Sequence, residues 1–141
     1  MTTGNEVDLS VGETIKLMAE DPDVHTIMAY AESVKDGKQF TDALDTARSE
    51  KKPVIFMKVG RSEVGAAAAN SHTASLAGED KVYDEVLRAH GAYRVRSTEE
   101  MLDVAYSTMP RIFPAGKNLG LVTISGGGGV IMADAAADEG L

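Results

Sequence analysis

At 141 residues the chain has the common size of one domain, and its 43% hydrophobic and 26% charged composition excludes a disordered or low-complexity protein. With 14 Lys plus Arg against 22 Asp plus Glu, a net charge of −8 and no basic stripe, sequence-independent nucleic-acid binding through phosphate neutralisation is disfavoured. The lack of cysteine removes disulfides, thiolate catalysis and zinc–thiolate or iron–sulfur sites; no apolar run is long enough to cross a membrane and no signal-peptide pattern opens the chain, so a soluble cytoplasmic protein is expected.

Ser10-Val11-Gly12-Glu13 has the pattern of a capping box, the serine hydroxyl accepting the Glu13 amide while the glutamate reaches back. Ile15, Leu17 and Met18 follow, so a helix is expected to start there and stop by Asp21-Pro22. Thr26-Ile27-Met28-Ala29-Tyr30-Ala31 is a continuous apolar run, which predicts a strand buried on both faces of a parallel sheet. After the Asp36-Gly37 break, Phe40, Ala43, Leu44 and Ala47 recur at helical spacing, so residues 39–51 read as a helix with one buried stripe. Pro53-Val54-Ile55-Phe56-Met57 reads as a second buried strand.

Small side chains dominate residues 61–78. Val82, Val86 and Leu87 mark a further helix, with Gly91 placed for a left-handed C-cap. Tyr93-Arg94-Val95 is a brief strand, and Ser97-Thr98-Glu99-Glu100 a second capping box that opens a helix ending near Pro110. Pro114, Gly116 and Asn118 suggest a linker. Residues 119–124 read as a third strong strand, 125–129 as a glycine loop and 130–139 as an alanine-rich helix. Alternating strands and helices predict an α/β fold with a parallel sheet covered by helices, which binds ligands at the carboxyl ends of its strands.

Three loops should therefore converge on one edge: Glu32-Ser33, Gly60-Arg61-Ser62, and Ser125, Gly126, Gly127, Gly128 and Gly129. The glycine loop suits a phosphate, because glycines let backbone amides approach an anion at a helix N-terminus; the alternative is a tight turn without ligand. It matches neither G-x-G-x-x-G nor a Walker loop, and a nucleophile elbow at Ser125 would need glycine at Thr123. His25 precedes a strand and His90 ends a helix, both structural positions. His72, between Ser71 and Thr73, reads either as a hydrogen-bonding cap or as a functional group. Glu32 is the carboxylate that should emerge at the sheet edge. As a solvated loop acid it would be inert; paired with His72 it would fix the imidazole tautomer and make the other nitrogen a better nucleophile. The seven methionines read as core filling, and no metal site is expected.

Five segments carry a resemblance: Gly4-Asn5-Glu6-Val7-Asp8, Ala19-Glu20-Asp21-Pro22-Asp23, Ala31-Glu32-Ser33-Val34-Lys35-Asp36-Gly37, Lys58-Val59-Gly60-Arg61-Ser62-Glu63 and Ser71-His72-Thr73-Ala74-Ser75-Leu76-Ala77-Gly78. Together they resemble the NDP-forming acyl-CoA synthetases, relatives of succinyl-CoA synthetase that include the ADP-forming acetyl-CoA synthetases. The resemblance implies a three-layer, flavodoxin-like α/β fold. It further implies the joining of a carboxylic acid to CoA at the expense of ATP, through an acyl phosphate and transient phosphorylation of His72, with Glu32 orienting that histidine. Ser71 and Thr73 are secondary candidates beside it. Ser125, Gly126, Gly127, Gly128 and Gly129 become phosphate donors, although Ile124 stands where the family pattern has Asn, and Gly128 where it has Pro.

On this resemblance no cofactor is tightly bound, and CoA, ATP or ADP and Mg enter as substrates. Residues 1–112 correspond to the flavodoxin-like domain without its first strand and helix, and 113–141 to a linker and the opening strand, glycine loop and helix of the next ligase domain. Because the opening strand is absent, a permuted sheet completed by residues 119–124 is a further expectation. Expected partners are CoA-binding and ATP-grasp domains, in the same protein or a partner subunit, and a small carboxylic acid; a homo-oligomer is left open, and the isolated segment is expected to be inactive. The competing reading is a non-catalytic anion-binding or regulatory module of an acyltransferase-fused relative.

Overall fold

Among residues 3–4, 6, 8–62, 64–65 and 80–141, which the computed structural model describes, the first regular element is helix α1 (Val11–Glu20). Its capping box is complete: the Glu13 N–H donates to Ser10 Oγ at 3.1 Å, and the Ser10 N–H donates to Glu13 Oε2 at 2.8 Å. Two of the amides that a helix start leaves without carbonyl partners are thereby satisfied. Ser10→Ala is expected to destabilise the chain by about 1 kcal/mol, read as a lower urea midpoint at constant slope; an unchanged midpoint would show that α1 does not depend on its cap.

Strand β1 (Ile27–Ala31) follows, then helix α2 (Gly37–Ser49), capped by Asp36. The predicted stripe of Phe40, Ala43, Leu44 and Ala47 is buried throughout. Gly12 lets α1 approach α2, since a Cβ there would stand 3.1 Å from the Phe40 nitrogen. Strand β2 (Val54–Lys58), helix α3 (Asp80–Ala89), strand β3 (Tyr93–Val95) and helix α4 (Thr98–Thr108) complete this part of the chain. Gly91 has a φ of +75°, the left-handed conformation that ends α3. The second capping box is not reciprocal. Ser97 Oγ accepts the Glu100 N–H at 3.1 Å, but the Glu100 carboxylate takes the Arg96 N–H, one residue further back.

The strands pair in parallel in the order β1-β2-β3. Along β2 the side chains alternate. Val54 and Phe56 join Ile15, Ala19, Phe40, Leu44 and Leu87 in the larger core, while Ile55 turns to the other face with Val95 and Met101. Helices thus lie on both faces of the sheet, as a three-layer α/β fold requires.

Strand β1 departs from expectation. It is buried on one face only, with Met28 50% and Tyr30 58% exposed. It is an outer strand of the described sheet, and α4, on that face, packs on β2 and β3.

The chain divides into two compact units, Met1–Pro110 and Arg111–Leu141. In the second, the strand expected at residues 119–124 is not formed, and Val122 and Ile124 are fully exposed. An extended segment becomes a strand only when a neighbour takes its N–H and C=O groups, and this unit offers no second strand. All three strands of the described sheet belong to the first unit. Helix α5 (Gly126–Asp138) then begins four residues before the expected position.

Candidate functional site

Ala31 of β1 stands opposite Lys58 of β2 in the parallel register, so Glu32 and the turn after Lys58 leave the sheet at one edge, its carboxyl end. The Val59 N–H donates to the Ala31 carbonyl at 3.1 Å, fastening the two exits together. Gly60, with a φ of +69°, supplies the left-handed turn away from the sheet. Glu32 is half-buried, and just beyond it the Val34 N–H donates to the Tyr83 hydroxyl at 3.1 Å, which ties this loop to α3. Arg61 and Ser62 are exposed, and Ser62 Oγ accepts the Gly65 N–H at 3.0 Å. His72, Ser71 and Thr73 lie outside the described residues.

Beside Glu32 sits a charged group that the sequence pattern alone puts in a loop. Lys58 is the last residue of β2 and is 1% exposed. Its ammonium donates to the Val59 carbonyl and lies 5.1 Å from the centroid of the Tyr83 ring. Burial lowers its pKa; the charges of Asp80 and Glu32 oppose that effect, and Arg94 adds to it. Tyr83 is pushed up, chiefly by burial. Arg94 of β3 is largely buried and bonds both Asp80 and Asp84, the latter at 2.5 Å, as well as the Asp80 carbonyl at 3.2 Å. The signal for Lys58 in the sequence is a lone cation ending an apolar strand, hidden because the apolar run itself stops at Met57, one residue short of the strand's end.

The other two histidines take the structural places expected of them. His25 is exposed ahead of β1, and His90, just past α3, places Nδ1 2.7 Å from Asp45 Oδ1 of α2. That pair joins two helices away from the Glu32 edge.

In the second unit, Gly126, Gly127, Gly128 and Gly129 are not a loop but the first turn of α5, with Ser125 as N-cap. Ser125 Oγ accepts the Gly128 N–H at 3.2 Å, and the Ser125 carbonyl accepts the Gly129 N–H at 2.9 Å. The Ser125 N–H goes to Thr123 Oγ1 at 3.0 Å, so the amides left for an anion at this helix start are those of Gly126 and Gly127. None of the four glycines has a positive φ, and a Cβ on Gly126 or Gly127 would meet nothing within 4 Å. Local structure does not demand glycine there; close approach to the backbone is what it provides.

The family model for the succinyl-CoA ligase-like flavodoxin domain matches residues 1–108. The ADP-forming acetate–CoA ligase I subunit alpha of Pyrococcus furiosus is 40% identical over 141 residues, 100% of this chain and 30% of that subunit. The ADP-forming acetate–CoA ligase of Methanocaldococcus jannaschii is 37% identical over 140 residues, 98% of this chain and 19% of its own length. A solved structure of the Ca. Korarchaeum cryptofilum dinucleotide-forming acetyl-coenzyme A synthetase 1, in complex with phosphate and ADP, matches with a TM-score of 0.86 and 33% identity. That match covers 99% of this chain and 30% of the other. The chain spans 30% or less of these three relatives.

Proposed function

The chain belongs to the succinyl-CoA ligase-like flavodoxin domain family, and from that premise we propose that it is the phosphohistidine region of an ADP-forming acid–CoA ligase acting in the cytoplasm. The observation that carries this reading is the 40% identity to an ADP-forming ligase subunit over all 141 residues, which takes in both the Glu32 edge and the start of α5. A neutral imidazole nitrogen of His72 attacks the terminal phosphorus of ATP; the bond to the ADP oxygen breaks and a P–N bond forms. The carboxylate of a small acid then takes the phosphoryl group, giving an acyl phosphate and free His72. The CoA thiol attacks the acyl carbon, inorganic phosphate leaves, and the thiol proton passes to phosphate or solvent.

Glu32 orients the histidine by accepting the N–H of the ring nitrogen that does not attack, which leaves the other as the nucleophile. The Gly126 and Gly127 amides and the positive end of α5 receive phosphoryl oxygens, with Ser125 holding that first turn in place. The Ile124 side chain offers no donor, so what the start of α5 gives the anion is its backbone amides. Ser71 and Thr73 flank His72 in the sequence, and their hydroxyls are the secondary donors to the phosphoryl group. CoA, ATP and Mg are substrates, brought by CoA-binding and ATP-grasp domains elsewhere in the protein or in a partner subunit. Residues 113–141 are the linker and opening part of the neighbouring ligase domain, and the 119–124 segment finds its strand partner there.

The test is phosphate capture. The full-length ligase, incubated with ATP and Mg, is expected to acquire acid-labile, alkali-stable phosphate that ADP discharges back to ATP; no such phosphate, or phosphate that ADP cannot discharge, would refute the proposal. Gly127→Ala sharpens it. Stability is expected to hold or rise by up to about 1 kcal/mol, because a Cβ there meets open space. The same change is expected to slow phosphoenzyme formation about tenfold by crowding the amide that meets the anion. Equal rates would remove α5 from the site.

A further inference from the structure

Lys58 is a buried cation that the proposed phosphoryl transfer does not use. An ammonium 1% exposed at the end of an apolar strand is costly to keep, and an apolar residue of similar length would fill the same space. What distinguishes Lys58 is what it touches. Its ammonium bonds the Val59 carbonyl, and the N–H of that same Val59 holds the Ala31 carbonyl. Its charge lies against the ring of Tyr83, whose hydroxyl holds the Val34 N–H. Glu32 therefore stands in a short stretch fastened on both sides to groups that Lys58 contacts directly.

The surrounding charges agree with this placement. Asp80 on α3 and Glu32 after β1 are the negative groups acting on Lys58, and Arg94 on β3 is the like charge. Arg94 is bonded to Asp80 and to Asp84. We propose that Lys58, acting through Tyr83 and Val59, is the positioning residue for Glu32: it braces the loop that presents this carboxylate to the histidine and supplies the positive charge beside it. The inference rests on the reading of Glu32 given above and adds a residue to it.

The test uses the full-length ligase, with the rate of phosphoenzyme formation from ATP as readout. Lys58→Met is expected to slow that rate roughly 10- to 100-fold while leaving the KM for ATP within about twofold, because a brace acts on orientation and not on nucleotide binding. Lys58→Arg, which keeps the charge, is expected to recover most of the rate. In a Glu32→Gln background, Lys58→Met should add less than about twofold, since a residue that works through Glu32 has nothing left to position. Fully additive losses, a Lys58→Met enzyme as fast as the unaltered one, or a loss that arginine does not rescue would each overturn the proposal. Should Lys58→Met not fold, Tyr83→Phe decides, removing only the hydroxyl that holds Val34: a several-fold loss that vanishes in the Glu32→Gln background supports the brace, and an unchanged rate overturns it. Failure of the underlying reading looks different, as absence of histidine-bound phosphate in the unaltered ligase or a Glu32→Gln variant of full activity.

Discussion

His72→Ala in the full-length ligase is expected to abolish the acid-labile phosphate and to lower acyl-CoA synthesis by more than about a thousandfold, because a methyl group cannot attack phosphorus. No other imidazole of this chain is placed to replace it. His25 precedes β1, so it lies at the amino end of the strand whose carboxyl end presents Glu32. The two are seven positions apart, roughly 23 Å of extended chain at about 3.3 Å per residue. His90 is held by Asp45 at 2.7 Å, between α3 and α2. His25→Ala and His90→Ala are therefore expected to keep the label, which makes them controls for folding as well as for site. Label persisting in His72→Ala would defeat the assignment, and loss of label in His90→Ala at unchanged stability would move the nucleophile.

The parts of the fold that depend on neighbours in sequence are legible in the amino-acid pattern itself. Ser10 and Glu13 are three residues apart and satisfy each other's backbone, and the Phe40, Ala43, Leu44, Ala47 stripe needs only helical periodicity to be recognised. What depends on distant neighbours is not. Residues 119–124 and β2 carry similar apolar runs, but β2 lies between β1 and β3 and the other segment has no strand beside it in its unit. Likewise the apolar run of β1 predicts burial on two faces, since nothing local in Met28 or Tyr30 says where α4 will pack. The glycines at 126–129 resemble a loop because glycine is a poor helix former; one serine hydroxyl at the cap suffices to start the helix on them. In the candidate site, Glu32 can be picked out as the acid following an apolar run. Lys58 cannot, because the groups set against it, the Tyr83 ring and the charges of Asp80 and Arg94, lie 22 to 36 residues further along the chain.

Phe56→Ala is expected to destabilise the chain by about 3–5 kcal/mol, the usual range for truncating a fully buried aromatic residue. Phe56 lies on the central strand, is wholly buried, and meets the Phe40 ring edge-on at 5.2 Å between centroids. Its loss removes apolar contact and leaves a void between β2 and α2 that backbone hydrogen bonding of the strand prevents from closing. Against a typical stability of about 5–15 kcal/mol, that takes a large share of what holds the first unit folded. Urea unfolding of the 141-residue chain should show a much lower midpoint. Tyr30→Ala, 58% exposed on the uncovered face of β1, should shift it by no more than about 0.5 kcal/mol. A cycle with Phe40→Ala should show non-additivity of about 0.5–1.5 kcal/mol, the part belonging to the ring pair. A Phe56→Ala loss below about 1 kcal/mol would mean that β2 is not the packed centre of the sheet. The rigidity of the Lys58 position would then be in question as well, because Lys58 follows Phe56 by two residues on the same strand and shares its face.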